Sequence, residues 1–196
     1  MSETRILASY IVDSDYDGGT TSMLDHMTAA GARRIGVVTL GAGESFETDS
    51  LAAYRRWCAD HDMQPWIHSA DDVDWSSPRP WDELASVARA SAGSCLDRHD
   101  VPDALYCLAE AFAGGVLAEC ATRGLHVPDD MMVASLSDRG QTARATPPLT
   151  TLDLHPRELG TAAAQLLADL VEGTVEDPAP VTVPATLVTR ASTARK

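Results

Sequence analysis

The sequence predicts an α/β protein with parallel sheets and helices on both faces, and two observations carry that prediction. Short apolar runs alternate with amphipathic segments along almost the whole chain, the pattern of strands joined through helices. One stretch, Ala104 to Asp138, also holds a complete strand, helix and strand without interruption. Within it, Ala104-Leu-Tyr-Cys-Leu108 is short and wholly apolar, as a strand buried on both faces should be. Ala111 to Arg123 aligns Phe112, Val116, Leu117 and Cys120 on a helical stripe, and Gly124 stands where a left-handed C-cap is needed. Pro128-Asp-Asp130 then turns the chain into a second apolar run, Met131 to Leu136, which should pair parallel to the first.

From the N-terminus, Ile6 to Val12 reads as a strand, and Asp13 to Gly19 leads into a helix ending at Ala30, with Met23, Leu24 and Met27 inward. Arg34 to Leu40 is a strand. The next helix, to about Asp62, aligns Leu51, Tyr54 and Cys58, and Gln64 to Ser69 is a strand. After the acidic loop Ala70 to Pro80, a helix places Trp81, Leu84, Ala88 and Cys95 on one face. Beyond the central unit, Thr150 to Leu154 is a short strand and Pro156 to Glu172 a helix carrying Leu159, Ala163, Leu166 and Leu170. A final strand alternates Val181, Val183, Ala185 and Leu187, and Pro184 within it points to a sheet edge.

A formal charge of -14 argues against this chain gripping a phosphate backbone, because duplex binding relies on Lys and Arg displacing counterions. Cys58, Cys95, Cys107 and Cys120 form no C-x-x-C pair, and the chain opens without a secretory pattern, so reduced thiols in a cytoplasmic protein are expected. No apolar run approaches the ~18 residues of a membrane helix. Asp13-x-Asp15-x-Asp17-Gly18 has the spacing of half a calcium loop, but its twelfth position is Leu24, so no metal is expected and Asp at a helix N-terminus is the plainer reading. Gly41-Ala-Gly43 lacks the third glycine of a dinucleotide loop, since position 46 is Phe. No hydrolase, Walker or zinc-protease motif occurs, and the histidines have no ligand spacing. Neither a catalytic pair nor a cofactor is nominated.

Arg123-Gly-Leu-His-Val-Pro-Asp-Asp130, Pro147-Pro-Leu-Thr-Thr151, His155-Pro-Arg-Glu-Leu-Gly160 and Leu187-Val-Thr-Arg-Ala-Ser-Thr193 occur in order. Together they resemble the effector domain of lactose-repressor-type (LacI/GalR) transcription regulators, from about Ile11 to Thr193. The resemblance implies a periplasmic-binding-protein-like type I fold with two lobes closing over a small molecule. It also implies a dimer, and a DNA-binding headpiece that this chain does not contain. On this basis residues 34–149 form one complete C-terminal lobe. An incomplete N-terminal lobe comprises residues 1–33, with 150–196 crossing over and returning to it. Self-association is expected through Ala111 to Arg123 and Gln141 to Pro148, with Phe112 and Val116 at the interface; the alternative is a wide buried stripe on a monomer.

Ligands of parallel α/β sheets bind beyond the carboxyl ends of the strands, which selects the loops at 41–50, 70–75, 109–110 and 137–140. By resemblance Trp75, in Asp74-Trp-Ser76, stacks on the effector; the alternative is a Trp packed into the lobe. Phe46 is either a second cleft residue or part of the first-turn core. Family members commonly carry Arg, Asn and Asp where this chain has Ser50, Ala109 and Ser137. Glu44, Asp72, Asp74, Glu110 and Asp138 remain near the mouth, where carboxylates accept from hydroxyl or ammonium groups and repel anions. Neutral polyols or amines are therefore expected in place of sugar phosphates or sugar acids. The alternative function is a protein-interaction module that binds no ligand.

Overall fold

A computed structural model of the protein describes residues 11–41, 43–70, 81–137, 140, 142–175 and 178–195. Two sheets organise it. The larger is six-stranded and contains β2 (Ile35–Thr39), β3 (Ile67–Ser69), β4 (Ala104–Cys107), β5 (Met132–Ser135), β6 (Thr150–Asp153) and β8 (Thr186–Val188). Its order is β3-β2-β4-β5-β6-β8, parallel throughout except for the antiparallel β8 at one edge. The smaller sheet pairs β1 (Val12–Ser14) with β7 (Val181–Val183) in parallel.

Strand alternation divides the core of the larger sheet in two. Ile35, Val37, Ala104, Tyr106, Met132, Ala134 and Leu152 point to one face, beneath α1 (Tyr16–Ala29) and α2 (Ser45–Asp60). Val38, Leu105, Cys107 and Val133 point to the other, beneath α3 (Trp81–Leu96) and α4 (Glu110–Thr122). The expected helices over both faces are therefore present, and the run from Ala104 to Ser135 forms the parallel strand–helix–strand unit read from its sequence. Burial pushes the Cys95 thiol up to about 12 and the Cys120 thiol up to about 11. These cysteines behave as small apolar core residues.

Three expectations are corrected. First, α1 was assigned to the incomplete lobe, yet Met23, Leu24 and Met27 are fully buried against the six-stranded sheet and α2. The boundaries at 33 and 149 therefore do not separate the two bodies, and β6 and β8 belong to the larger sheet as well. Second, the C-terminal strand is two strands in different sheets. Pro184 stands between β7 and β8, where the chain passes from one sheet to the other. Third, Phe112 and Val116, expected at a dimer interface, are 0% exposed within the single chain. Their side chains fill the core between α4 and the sheet, so the outward face of α4 consists of other residues. Most of the strand expected at Ile6 to Val12 lies outside the described residues.

The small sheet carries only α5 (Pro156–Glu172) as cover among the described residues. That helix has no buried residue, and Leu167 and Val171 are 64% and 79% exposed.

The C-terminal motif explains itself physically. Ser192 Oγ donates to Val133 O (2.5 Å) and accepts from Thr150 N (2.9 Å), bridging β5 and β6 where their ladder is shortest. Arg190 Nη1 donates to Leu149 O at 2.7 Å, and Thr193 Oγ1 contacts both Thr150 Oγ1 and His26 Nε2 at 2.7 Å. Leu187 to Thr193 thus acts as a seam that closes the edge of the sheet onto α1.

Candidate functional site

The chain passes between the two sheets at β1–α1, β6–α5 and β7–β8, and these crossings are tied together. Asp15 N donates to Val183 O at 2.8 Å, Ser14 Oγ donates to Leu154 O at 3.4 Å, and His155 Nε2 meets Thr186 Oγ1 at 2.7 Å. His155 adopts a left-handed conformation (φ 48), uncommon for a residue with a Cβ. At Gly19 a Cβ would lie 2.8 Å from Leu152 Cδ1 and 3.0 Å from Ala185 Cβ, so a side chain there would have to displace Leu152 and press on Ala185 where α1 approaches these crossings.

Asp15 caps α1: its Oδ1 accepts from Gly18 N at 2.8 Å. That is the role which the alternating Asp motif suggested at a helix N-terminus. No group of three or more His, Cys, Asp or Glu residues poised for a metal occurs among the described residues.

Because β2, β3, β4 and β5 run parallel and in register, their ends at Thr39, Ser69, Cys107 and Ser135 lie along one edge. The loops following them form that edge, and α2 begins there. The α2 first turn adjoins the crossing at α1, where the Tyr16 and Phe46 rings lie 6.2 Å apart at 52°. Burial first, and then the neighbouring Asp13 carboxylate, hold the Tyr16 phenol above its ordinary range, with a smaller contribution from Asp49. The structure thus gathers Asp13, Tyr16, Phe46 and Asp49 at the junction of the two sheets. Sequence reasoning found Phe46 and missed the other three. The signal available for Tyr16 was an aromatic residue at the start of a helix in an otherwise acidic segment.

Phe46 is half-buried, both part of the α2 core and in contact with Tyr16, so its two readings merge. Glu44 is exposed at the α2 N-cap position without a side-chain capping bond. Ser50 is 1% exposed, and its Oγ has no hydrogen-bond partner among the described residues. Ala109 is the N-cap of α4, and Ser137 O accepts from Ser135 Oγ at 3.2 Å. Trp75, Asp72, Asp74 and Asp138 lie outside the described residues.

Glu110 sits elsewhere. It lines a groove of about 580 Å³ between α3, α4 and the segment 142–149, with Ala111, Gly114, Ala118, Thr142 and Ala145. Beside it α3 and α4 approach closely at Gly115, where a Cβ would lie 2.6 Å from Ala88 O.

A parallel α/β body joined by several crossings to a second sheet, with strand ends at the junction, defines the class of periplasmic-binding-protein folds. The chain belongs to the family described as periplasmic binding protein-like domain, whose model matches residues 24–193. It is similar to the transcriptional repressor MelR of Bacillus subtilis, 26% identical over 91% of this chain and 51% of that protein. A LacI family transcriptional regulator from Bifidobacterium animalis has the same fold (TM-score 0.79, 24% identity, 93% of this chain and 63% of that one). So does the lac repressor dimer bound to operator and an anti-inducer (TM-score 0.79, 23% identity, 91% and 59%). The chain spans about half the length of the curated relatives it matches. These relatives are named as LacI-, GalR- and PurR-type transcription regulators, and the chain resembles a portion of them. Among the described residues, no helix is long and apolar enough to cross a membrane.

Proposed function

We propose that this chain senses a small neutral polyol or amine and forms a homodimer within a LacI-type regulator. DNA is reached through a separate headpiece, since a chain of net charge -14 cannot supply the cationic contacts itself. The observation that carries the ligand reading is the Tyr16–Phe46 pair at the sheet junction, flanked by the Asp13 and Asp49 carboxylates. Aromatic faces suit sugar or polyol C–H surfaces, and carboxylates accept from hydroxyl and ammonium donors. The Ser at position 50, in place of a family Arg, removes a cation that would favour anionic effectors.

A thermal-shift panel tests this. Xylitol, glucose or putrescine should raise the melting temperature in proportion to the logarithm of concentration above Kd. Stabilisation by glucose 6-phosphate or gluconate alone would contradict it. A blank panel would favour the interaction-module reading, to which the bare Leu167 and Val171 of α5 lend support.

Dimerisation is assigned to the groove face of α4, replacing Phe112 and Val116. Ala111, Gly114 and Ala118 form a small-residue stripe there, beside Thr142 and Ala145. A Cβ at Gly114 meets nothing within 4 Å, so the single chain tolerates a side chain at that position. Gly114→Arg should therefore give a folded monomer in sedimentation where the unmodified chain is a dimer. A dimer that survives this substitution would move the interface to another face.

A further inference from the structure

We infer that Glu47 sets the charge class of ligand accepted at the carboxyl edge, by filling from within the concavity of backbone N–H groups that the β2–α2 loop would otherwise offer to an anion. The inference rests on the effector-site reading above and adds a residue that the resemblance did not nominate.

A glycine-rich loop between a strand of a parallel sheet and a helix is a ready anion site. Successive N–H groups turn inward, and the helix dipole adds positive potential. The loop here has the required backbone, with Gly41 at φ 77 and Gly43 at φ 73. Its donors at the described residues, however, are already engaged. Leu40 N (2.6 Å) and Gly41 N (3.2 Å) donate to Glu47 Oε1, and Gly43 N donates to Oε2 at 3.1 Å. Thr39 Oγ1 donates to the same Oε1. Glu47 is 2% exposed and stands in the first turn of α2, where the helix N-terminus favours a negative group.

The consequence for recognition follows from charge and valence. A phosphate or carboxylate arriving at this edge finds the amides occupied and an internal carboxylate behind them. What remains outward on the same helix start is acceptor-rich, with Glu44 and Asp49 both exposed. A ligand presenting hydroxyl or ammonium donors meets complementary groups there. Glu47 is thus a positioning residue for the loop and a determinant of specificity against anions.

The test uses the full chain and its Glu47→Ala variant, melted in formate, acetate or chloride at constant ionic strength. Deleting the carboxylate leaves four donors facing a cavity that formate can enter. The variant should melt several degrees lower and recover with formate in a saturable manner, acetate following less well, while the unmodified protein responds to all three salts alike. Recovery no better in formate than in chloride would overturn the inference. So would equal stabilisation of the unmodified protein by formate. If Glu47→Ala does not fold, Glu47→Gln decides by NMR. The Gly41 and Gly43 amide protons should move upfield when the charged acceptor is replaced, and unchanged positions would overturn the inference. No effector enters either experiment, so rescue by formate alongside a blank effector panel would keep the Glu47 clamp and remove the effector reading.

Discussion

Replacing Phe112 with alanine should destabilise the fold by about 3–5 kcal/mol, the range for removing a fully buried Phe side chain. The ring is 0% exposed and packs in the core cluster that includes Ala88, Leu105, Val116 and Val133. The neighbouring elements are held by a close helix contact at Gly115 and cannot collapse freely into the space left. Domains are commonly stable by about 5–15 kcal/mol, so the variant should sit near the edge of unfolding at 37 °C. Urea denaturation reads this directly as a lower midpoint at unchanged slope. A loss under about 1 kcal/mol, combined with dissociation of a dimer, would restore Phe112 to an intersubunit surface.

Hydrogen exchange should divide the chain unevenly. Amides of β2, β4 and β5 are central in the six-stranded sheet and flanked by helices on both faces, so they should exchange only through global opening. Those of β1, β7 and α5 should exchange faster by a factor on the order of 1,000 or more, since a two-stranded sheet is marginal alone. α5 contributes no buried residue to hold that sheet. α1 and β6 belong with the slow set, because Met23, Leu24, Met27 and Leu152 are fully buried in the larger body. Uniformly slow exchange in a proven monomer would show that the second sheet has cover that the described residues do not account for.

Much of this architecture was legible because it is written in local pattern. The apolar run at Ala104, the helical stripe after it and the C-cap at Gly124 (φ 69) each encode one element by short-range chemistry. What sequence could not supply was allegiance. Met23, Leu24 and Met27 announce an apolar helix face without saying which sheet it covers. Phe112 and Val116 form a stripe that serves a core or an interface equally well until the helix is rotated into place. Pro184 signalled a strand edge, but a change of sheet and a sheet edge ask the same thing of a residue without an N–H.

The candidate site was legible at the level of loops and not of side chains. The rule that ligands gather at strand carboxyl ends found Phe46. Tyr16 was hidden because it reaches the site from a crossing and not from a strand end. Glu47 was hidden because its carboxylate turns back into the loop, whereas acidic residues near a helix start ordinarily read as solvated charge. Glu110, nominated for the cleft, is instead the first residue of α4, one residue before the expected start at Ala111, and lines the α3–α4 groove.

The claim that a small molecule binds where the strands end at the sheet junction is tested most directly by repeating the exchange experiment with whichever of xylitol, glucose or putrescine raises the melting temperature. Protection should appear at Leu40 to Ser50, around Ala109 and Ser137, and at Asp13 to Tyr16, while the α3–α4 groove around Gly114 is unchanged. Protection confined to that groove, or spread evenly over the six-stranded body with none at the junction, would contradict the account.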